Sequence, residues 1–479
     1  MLAHRLFPWI THCSTVVRND RYVIGYASGN FGKAILLGSV DVTLLYLLTD
    51  IIGIAPGRVS QLMMLVFAGD LVFDFIAGLI AAKAERHGIS YSRLIAVCAL
   101  PCALAFGAIY SLPLFRFDEL AVVAPLILCL RCAFAIIDVP HNSLLARVTA
   151  DSHARGRASG YRTIFSSAAA VTVACVIAPL MHSASGNEAP VRMAWLGVGG
   201  GLLFCGALLL SSWTSKPVNI PAQPRPRPTS LGTLLPPRDR LFAAMAAIAL
   251  ITGFAMPMFT KTLLYLCTYV LKSPEFAGQI LLILALSQIL GAVFWITLVR
   301  RQDKSTLLAM SHGVTAIGIM LFAAAGENKG ALLACTVLIG IGFAGVFMLP
   351  WGILADIIDF SEFRHRERRE TVSFAAVLVL LKGGGAAALA TIGGVLGALG
   401  YMPGTIQPDS VVLGMKALTF GAPLAGSMLA ILILRRLDIG HALHARVRSV
   451  NQRRRNRAEF WTFALIIRDT PLRTVRRSP

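Results

Sequence analysis

The 479-residue chain is predicted to be an all-α, polytopic membrane protein with twelve transmembrane helices in two six-helix bundles. Four observations predict it. The composition is 56% hydrophobic and only 14% charged, with a mean hydropathy of +0.70, far less charge than a soluble chain of this length carries. Apolar runs of roughly twenty residues, long enough to span a bilayer, recur along the whole chain. Short alternating strands, the mark of a membrane barrel, are absent, so helices must satisfy the backbone in lipid. Finally, a proline-rich stretch at 213–240 falls between the sixth and seventh apolar runs and divides the chain into halves.

Taken in order, residues 1–21 form a cytoplasmic N-terminal segment. Arg5, Arg18 and Arg21 leave it without the apolar core of a cleavable signal peptide. The first bundle occupies 22–212, with spans at approximately 22–49, 58–83, 93–112, 120–147, 160–182 and 192–212. Residues 213–240 contain Pro217, Pro221, Pro224, Pro226, Pro228, Pro236 and Pro237, a stiff extended linker. The second bundle occupies 241–436, with spans at approximately 241–270, 276–299, 305–325, 331–359, 371–400 and 409–436. Residues 437–479 are a basic cytoplasmic tail, expected to be solvated; Phe460–Ile467 is too short to span and suits the membrane surface.

Much of the net charge of +20 lies in loops on one side: Lys83, Arg86, Arg147, Arg155, Arg157, Lys216, Arg225, Arg300, Arg301, Lys304 and the arginines of 364–369. The positive-inside rule puts these loops, the linker and both termini in the cytoplasm. This asymmetry explains the basic balance without nucleic acid. The nine cysteines form no disulfide framework, and Cys129-x-x-Cys132 sits in an apolar run, so it reads as packing rather than metal or redox chemistry. No metal-ligand cluster, nucleophile elbow or phosphate loop is present, so an enzyme is not expected, and no cofactor or metal.

Charge inside the spans is what carries function. The second span reads Val66-Phe-Ala-Gly-Asp-Leu-Val-Phe-Asp-Phe-Ile-Ala-Gly-Leu-Ile80. Each buried carboxylate costs about 2.5–3.5 kcal/mol on insertion scales. Asp70 and Asp74 share a helix face one turn apart, and two such acids in a dry site need a cation between them or a retained proton. They are the candidate cation-binding pair; two acids facing a watery cavity is the plainer alternative. Lys33 and Asp41 lie in the first span, Arg131 and Asp138 on one face of the fourth, Arg162 at the start of the fifth, Lys261 in the seventh and Lys382 in the eleventh. Together they imply a polar central cavity. Lys261 snorkelling outward, Arg162 as a peripheral anchor and Arg131 as a mere neutraliser of Asp138 are the plainer readings. Asp356, Asp359, Glu362, Arg368 and Glu370 read as a salt-bridge cluster holding a cytoplasmic gate.

Several motifs then point to a family. They are Tyr26-Ala-Ser-Gly-Asn-Phe-Gly-Lys33; Asp70-x-x-x-Asp74; Asp138-Val-Pro-His-Asn-Ser-Leu144 followed by Tyr161-Arg162; Ala355-Asp-Ile-Ile-Asp-Phe-Ser-Glu-Phe363; and Arg368-Arg-Glu370 before Lys382-Gly-Gly384. In this order, over roughly 22–436, they resemble the glycoside–pentoside–hexuronide:cation symporters of the major facilitator superfamily. The resemblance implies substrate binding between two rocking halves. It implies cation binding at Asp70 and Asp74, coupling through Asp138 and Lys382, and sugar contacts at Lys33 and Arg162. Ala34 and Asn142 depart from the family's sugar-gripping acid and stacking tryptophan; Asn142, Asp41, Arg131 and Lys261 join the substrate-facing candidates.

The expected function is therefore secondary active symport of a small solute across a bacterial inner membrane, by a monomer. The excess of basic over acidic groups in the cavity calls for an anionic group on the substrate, such as a uronide. A lysolipid symporter, or a membrane sensor that does not transport, are the alternatives. Phe73 and Ala135 stand where sodium-using members of the resembling family carry oxygen ligands. Sodium needs several oxygens, so the expected coupling ion is a proton shared by Asp70 and Asp74.

Overall fold

A computed structural model describes residues 20–54, 56–115, 120–177, 189–215, 236–237, 239–366, 368–402, 405–437 and 440–454. The 1–19 segment, most of the proline-rich linker and Phe460–Ile467 lie outside them. The described residues form helices α1 (Arg21–Tyr46), α2 (Pro56–Arg86), α3 (Tyr91–Phe115), α4 (Leu120–Val148), α5 (Ser152–Thr172) and α6 (Ala189–Thr214). They continue with α7 (Arg240–Tyr265), α8 (Phe276–Leu298), α9 (Lys304–Ala324), α10 (Lys329–His365), α11 (Glu370–Ala398) and α12 (Asp409–Leu434). A final helix, α13, covers 441–454. Among the described residues, ten helices are long and apolar enough to cross a membrane; α1 and α5 are not among the ten.

Within the first half, α3 packs on α6 and α4, α1 on α5 and α6, and α2 on α4; within the second, α9 and α8 pack on α10, and α7 and α12 on each other, with α7 also against α11. Contacts between the halves run from α5 to α8 and α10, and from α2 and α4 to α11. The α7–α11 crossing depends on glycine. A Cβ at Gly384 would lie 2.7 Å from the Leu250 carbonyl oxygen, so any side chain there would push the helices apart.

Two boundaries differ from expectation in ways that matter. Helix α5 starts at Ser152, not near 160, because Asp151 accepts a hydrogen bond from the Ala154 amide (2.8 Å) and caps it. The polar turn 152–160 looked like a loop because it lacks large apolar residues. Its small residues Gly156 and Gly160 instead let α5 press against Val299 and Ile296. Arg162 therefore sits well inside α5, 4% exposed, rather than at its mouth. The second difference is the tail. Its helix α13 packs on the body of the protein, with His444 only 2% exposed.

Candidate functional site

Four helices bring the intramembrane charges together as separate pairs. Lys33 of α1 meets Asp138 of α4, Nζ to Oδ1 2.8 Å. Arg131 of α4 meets Asp70 of α2, Nη1 to Oδ2 3.1 Å. Lys382 of α11 meets Asp74 of α2, Nζ to Oδ2 2.6 Å, with Asp74 fully buried. Only this last pair joins the first half to the second. Two expectations change here. Arg131 neutralises Asp70 and not Asp138, and the two acids of α2 have separate cationic partners instead of facing each other across one proton. Partner choice between helices depends on rotation and depth, which residue spacing within one helix does not encode.

The pairs leave buried groups unsatisfied. Asp74 Oδ2 is in ion-pair contact with Lys382 but outside hydrogen-bond geometry, and Asp74 Oδ1 has no hydrogen-bond partner among the described residues. Arg131 Nε and Arg162 Nη1 are likewise without one. Such atoms cost about 1–3 kcal/mol each, more when charged.

Asn142 ties the pairs to Arg162. Its Nδ2 donates to Asp138 Oδ1 (2.9 Å), while its Oδ1 accepts from Arg162 Nη2. Arg162 Nε donates to Asn30 Oδ1 (3.2 Å), and the guanidinium lies 5.1 Å from the centre of the Trp351 ring. No carboxylate lies within ion-pair distance of Arg162 among the described residues. These groups border a cavity of about 250 Å³ lined by Asn30, Arg162, Ser166, Thr252, Gln288 and Trp351, among others. Polar groups of α1 and α5 face a mainly apolar wall from the second half. Thr252, Gln288 and Trp351 escaped the sequence reading because an uncharged residue in a span carries no cost that demands a reason. Lys261 is exposed and joins neither the pairs nor the cavity lining. Asp41 lies in α1, and its side chain falls outside the described residues.

At one end of the helices a second network closes the space between the halves. All five gate candidates take part. Arg368 pairs with Asp359 (2.7 Å), Glu362 (2.9 Å) and Glu370 (2.8 Å). Burial alone would pull the Arg368 pKa down, but Glu370, Asp359 and Glu362 outweigh it and hold the guanidinium well above the ordinary arginine value. The first half contributes residues counted above only as orientation signals. Arg155, 2% exposed, bridges Asp356 (2.9 Å) and Asp359 (2.7 Å), and Arg147 reaches Glu370 (3.0 Å) and Glu85 (2.6 Å). Lys304 meets Asp356 at 2.6 Å and donates to the Ser152 carbonyl at 2.8 Å. From α13, His444 Nε2 lies 2.9 Å from Asp359 Oδ2, and Asn451 donates to the Asp359 carbonyl (2.9 Å).

Comparison with known proteins identifies the family. Residues 25–441 match the family model described as MFS/sugar transport protein. A putative glycoside/cation symporter of Escherichia coli (strain K12) is 23% identical over 404 residues, covering 82% of this chain and 86% of its own length. A glucuronide carrier protein homolog of the same organism is 22% identical over 427 residues, covering 86% and 91%. A major facilitator superfamily transporter crystallised in the outward conformation shares the fold, with a TM-score of 0.61 at 14% identity over 85% of this chain and 98% of that one. The chain belongs to the MFS/sugar transport protein family, and it is a multi-pass membrane transporter, not an enzyme.

Proposed function

We propose that the protein is a proton-coupled symporter of a small anionic solute, built from twelve spans in two six-helix halves, with its basic loops and termini in the cytoplasm of a bacterial cell. The observation that carries this reading is the Asp74–Lys382 pair, which joins the buried Asp74 of α2 to α11 across the two halves. A proton taken up by Asp74 would cancel the attraction to Lys382 and release that link. A substrate anion would have a reason to enter only when a cation is to hand, and joint occupancy would permit rocking by linkage. Asp138 and Lys33, tied through Asn142 to Arg162, would carry the coupling from ion site to cavity.

A proton suits the site better than sodium. Phe73 and Ala135 belong to an apolar cluster with Ala77, Val139, Ala375 and Leu378, so those two positions contribute no side-chain oxygen to a cation cage. The relay needs only a protonatable carboxylate, and Asp74 supplies one.

The charge inventory supports an anionic substrate and narrows the argument to one residue. Lys33, Arg131 and Lys382 each have an acid, whereas Arg162 lines the cavity with Nη1 unsatisfied. A carboxylate on the ligand would complete it. The glucuronide carrier among the relatives is named for an anionic sugar. The test is a thermal-stabilisation screen of purified protein with neutral sugars, their uronic acids and lysolipids. Uronic acids are expected to protect more than the matching sugars, and Arg162→Ala to erase the difference. Equal protection by each sugar and its acid contradicts the anionic reading.

A further inference from the structure

We propose that the gate-side ends of α7 and α12 form a binding site for an anionic phospholipid. A groove of about 860 Å³, more than three times the volume of the central cavity, opens between these helices. Its walls are apolar: Leu241 and Ala244 from α7, Leu429, Leu432 and Ile433 from α12. Its rim is cationic, with Arg240 opening α7 and Arg435 and Arg436 following the end of α12. All three arginines are exposed, and none forms an ion pair with an acid among the described residues. The nearby Asp239 is engaged as the cap of α7, accepting from the Phe242 amide at 2.7 Å.

Apolar walls ending in a rim of arginines at the limit of the spans match the two parts of a phospholipid. Acyl chains would lie along Leu429, Leu432 and Ile433, and a phosphate would meet the guanidinium groups. The linker and the C-terminal tail of the chain are poor occupants. Residues 216–235 contain Lys216, Arg225 and Arg227 and no acid, and 455–479 hold six arginines against Glu459 and Asp469. Neither supplies net negative charge. Placing the groove in the cytoplasmic leaflet rests on the sidedness proposed above; the site itself does not depend on transport.

The experiment is native mass spectrometry and thermal melting of the full-length protein in detergent. It is titrated with phosphatidylglycerol, with phosphatidylcholine of the same chains, and with soluble glycerol phosphate. The comparison is between the wild type, the triple variant Arg240→Gln, Arg435→Gln, Arg436→Gln, and a control, Arg300→Gln with Arg301→Gln. Phosphatidylglycerol is expected to be retained and to raise the melting temperature of wild type and control. The triple variant should lose retention by roughly fivefold for each arginine removed. Equal retention by wild type and triple variant overturns the proposal, as does equal binding of the two lipids. Protection by glycerol phosphate that matches the lipid also overturns it, since that would make the rim a soluble-anion site. A triple variant that fails to fold is replaced by the three single variants, whose losses must each be partial. Because no arm measures uptake, failure of the symport reading leaves the result interpretable.

Discussion

The two charge networks differ in how many partners each group has. At the gate, groups share many partners: Arg368 meets three acids, Arg155 meets two, and Asp356 is held by Arg155, Lys304 and Ser152. Inside the membrane Asp70, Asp74 and Asp138 each meet a base of their own. Both networks leave buried atoms without a hydrogen bond among the described residues: Arg155 Nε and Arg368 Nη2 at the gate, Asp74 Oδ1, Arg131 Nε and Arg162 Nη1 inside the membrane. A shared network of short contacts has one good arrangement and resists change. A single pair has a second arrangement as soon as a proton or anion takes one partner's place. On the proposed function, the gate network holds one state and the midplane pairs decide when it is left.

That contrast can be broken or sharpened by substitution. The largest effect is expected from Asp74→Asn, which should abolish concentrative uptake while leaving membrane insertion intact; Asp70→Asn should do the same. Accumulation against a gradient by both single variants would remove the ion site from these residues. At the gate, Arg155→Ala strips two buried acids of a partner, a loss of about 3–5 kcal/mol. Labelling of cysteines introduced at the gate-side ends of α5 and α10 should rise strongly in that variant, and unchanged labelling would mean that the network does not hold the halves. Deleting the chain after Gly440 removes His444 and Asn451 but leaves Arg155, Lys304 and Arg368 in place. The same labelling should therefore rise less than in Arg155→Ala. An equal or larger rise would make α13 the principal lock. Lys261→Ala should change uptake least, since Lys261 is exposed and belongs to neither network.

The sequence made the spans legible because a bilayer demands long apolar runs, and it made Asp70, Asp74 and Lys382 legible because buried charge has a cost. It did not disclose who pairs with whom. Arg155 and Lys304 read as orientation charges because loop arginines and gate arginines look alike until the halves meet. Polar residues at 152–160 concealed the first turns of α5, and with them the depth of Arg162. The motif order identified the family where individual residues could not, yet the departure at Asn142 acquired meaning only in three dimensions. Asn142, in place of a stacking tryptophan, bridges Asp138 and Arg162.

The most direct test of proton coupling through Asp74 is uptake of the ligand found by stabilisation screening, in proteoliposomes with imposed gradients. An inward proton gradient without sodium should drive accumulation by wild-type protein, and a sodium gradient at fixed pH should not. Asp74→Asn should still bind the ligand and exchange it, with no response to the proton gradient. Accumulation driven by sodium alone, with no effect of the proton gradient, would contradict the account.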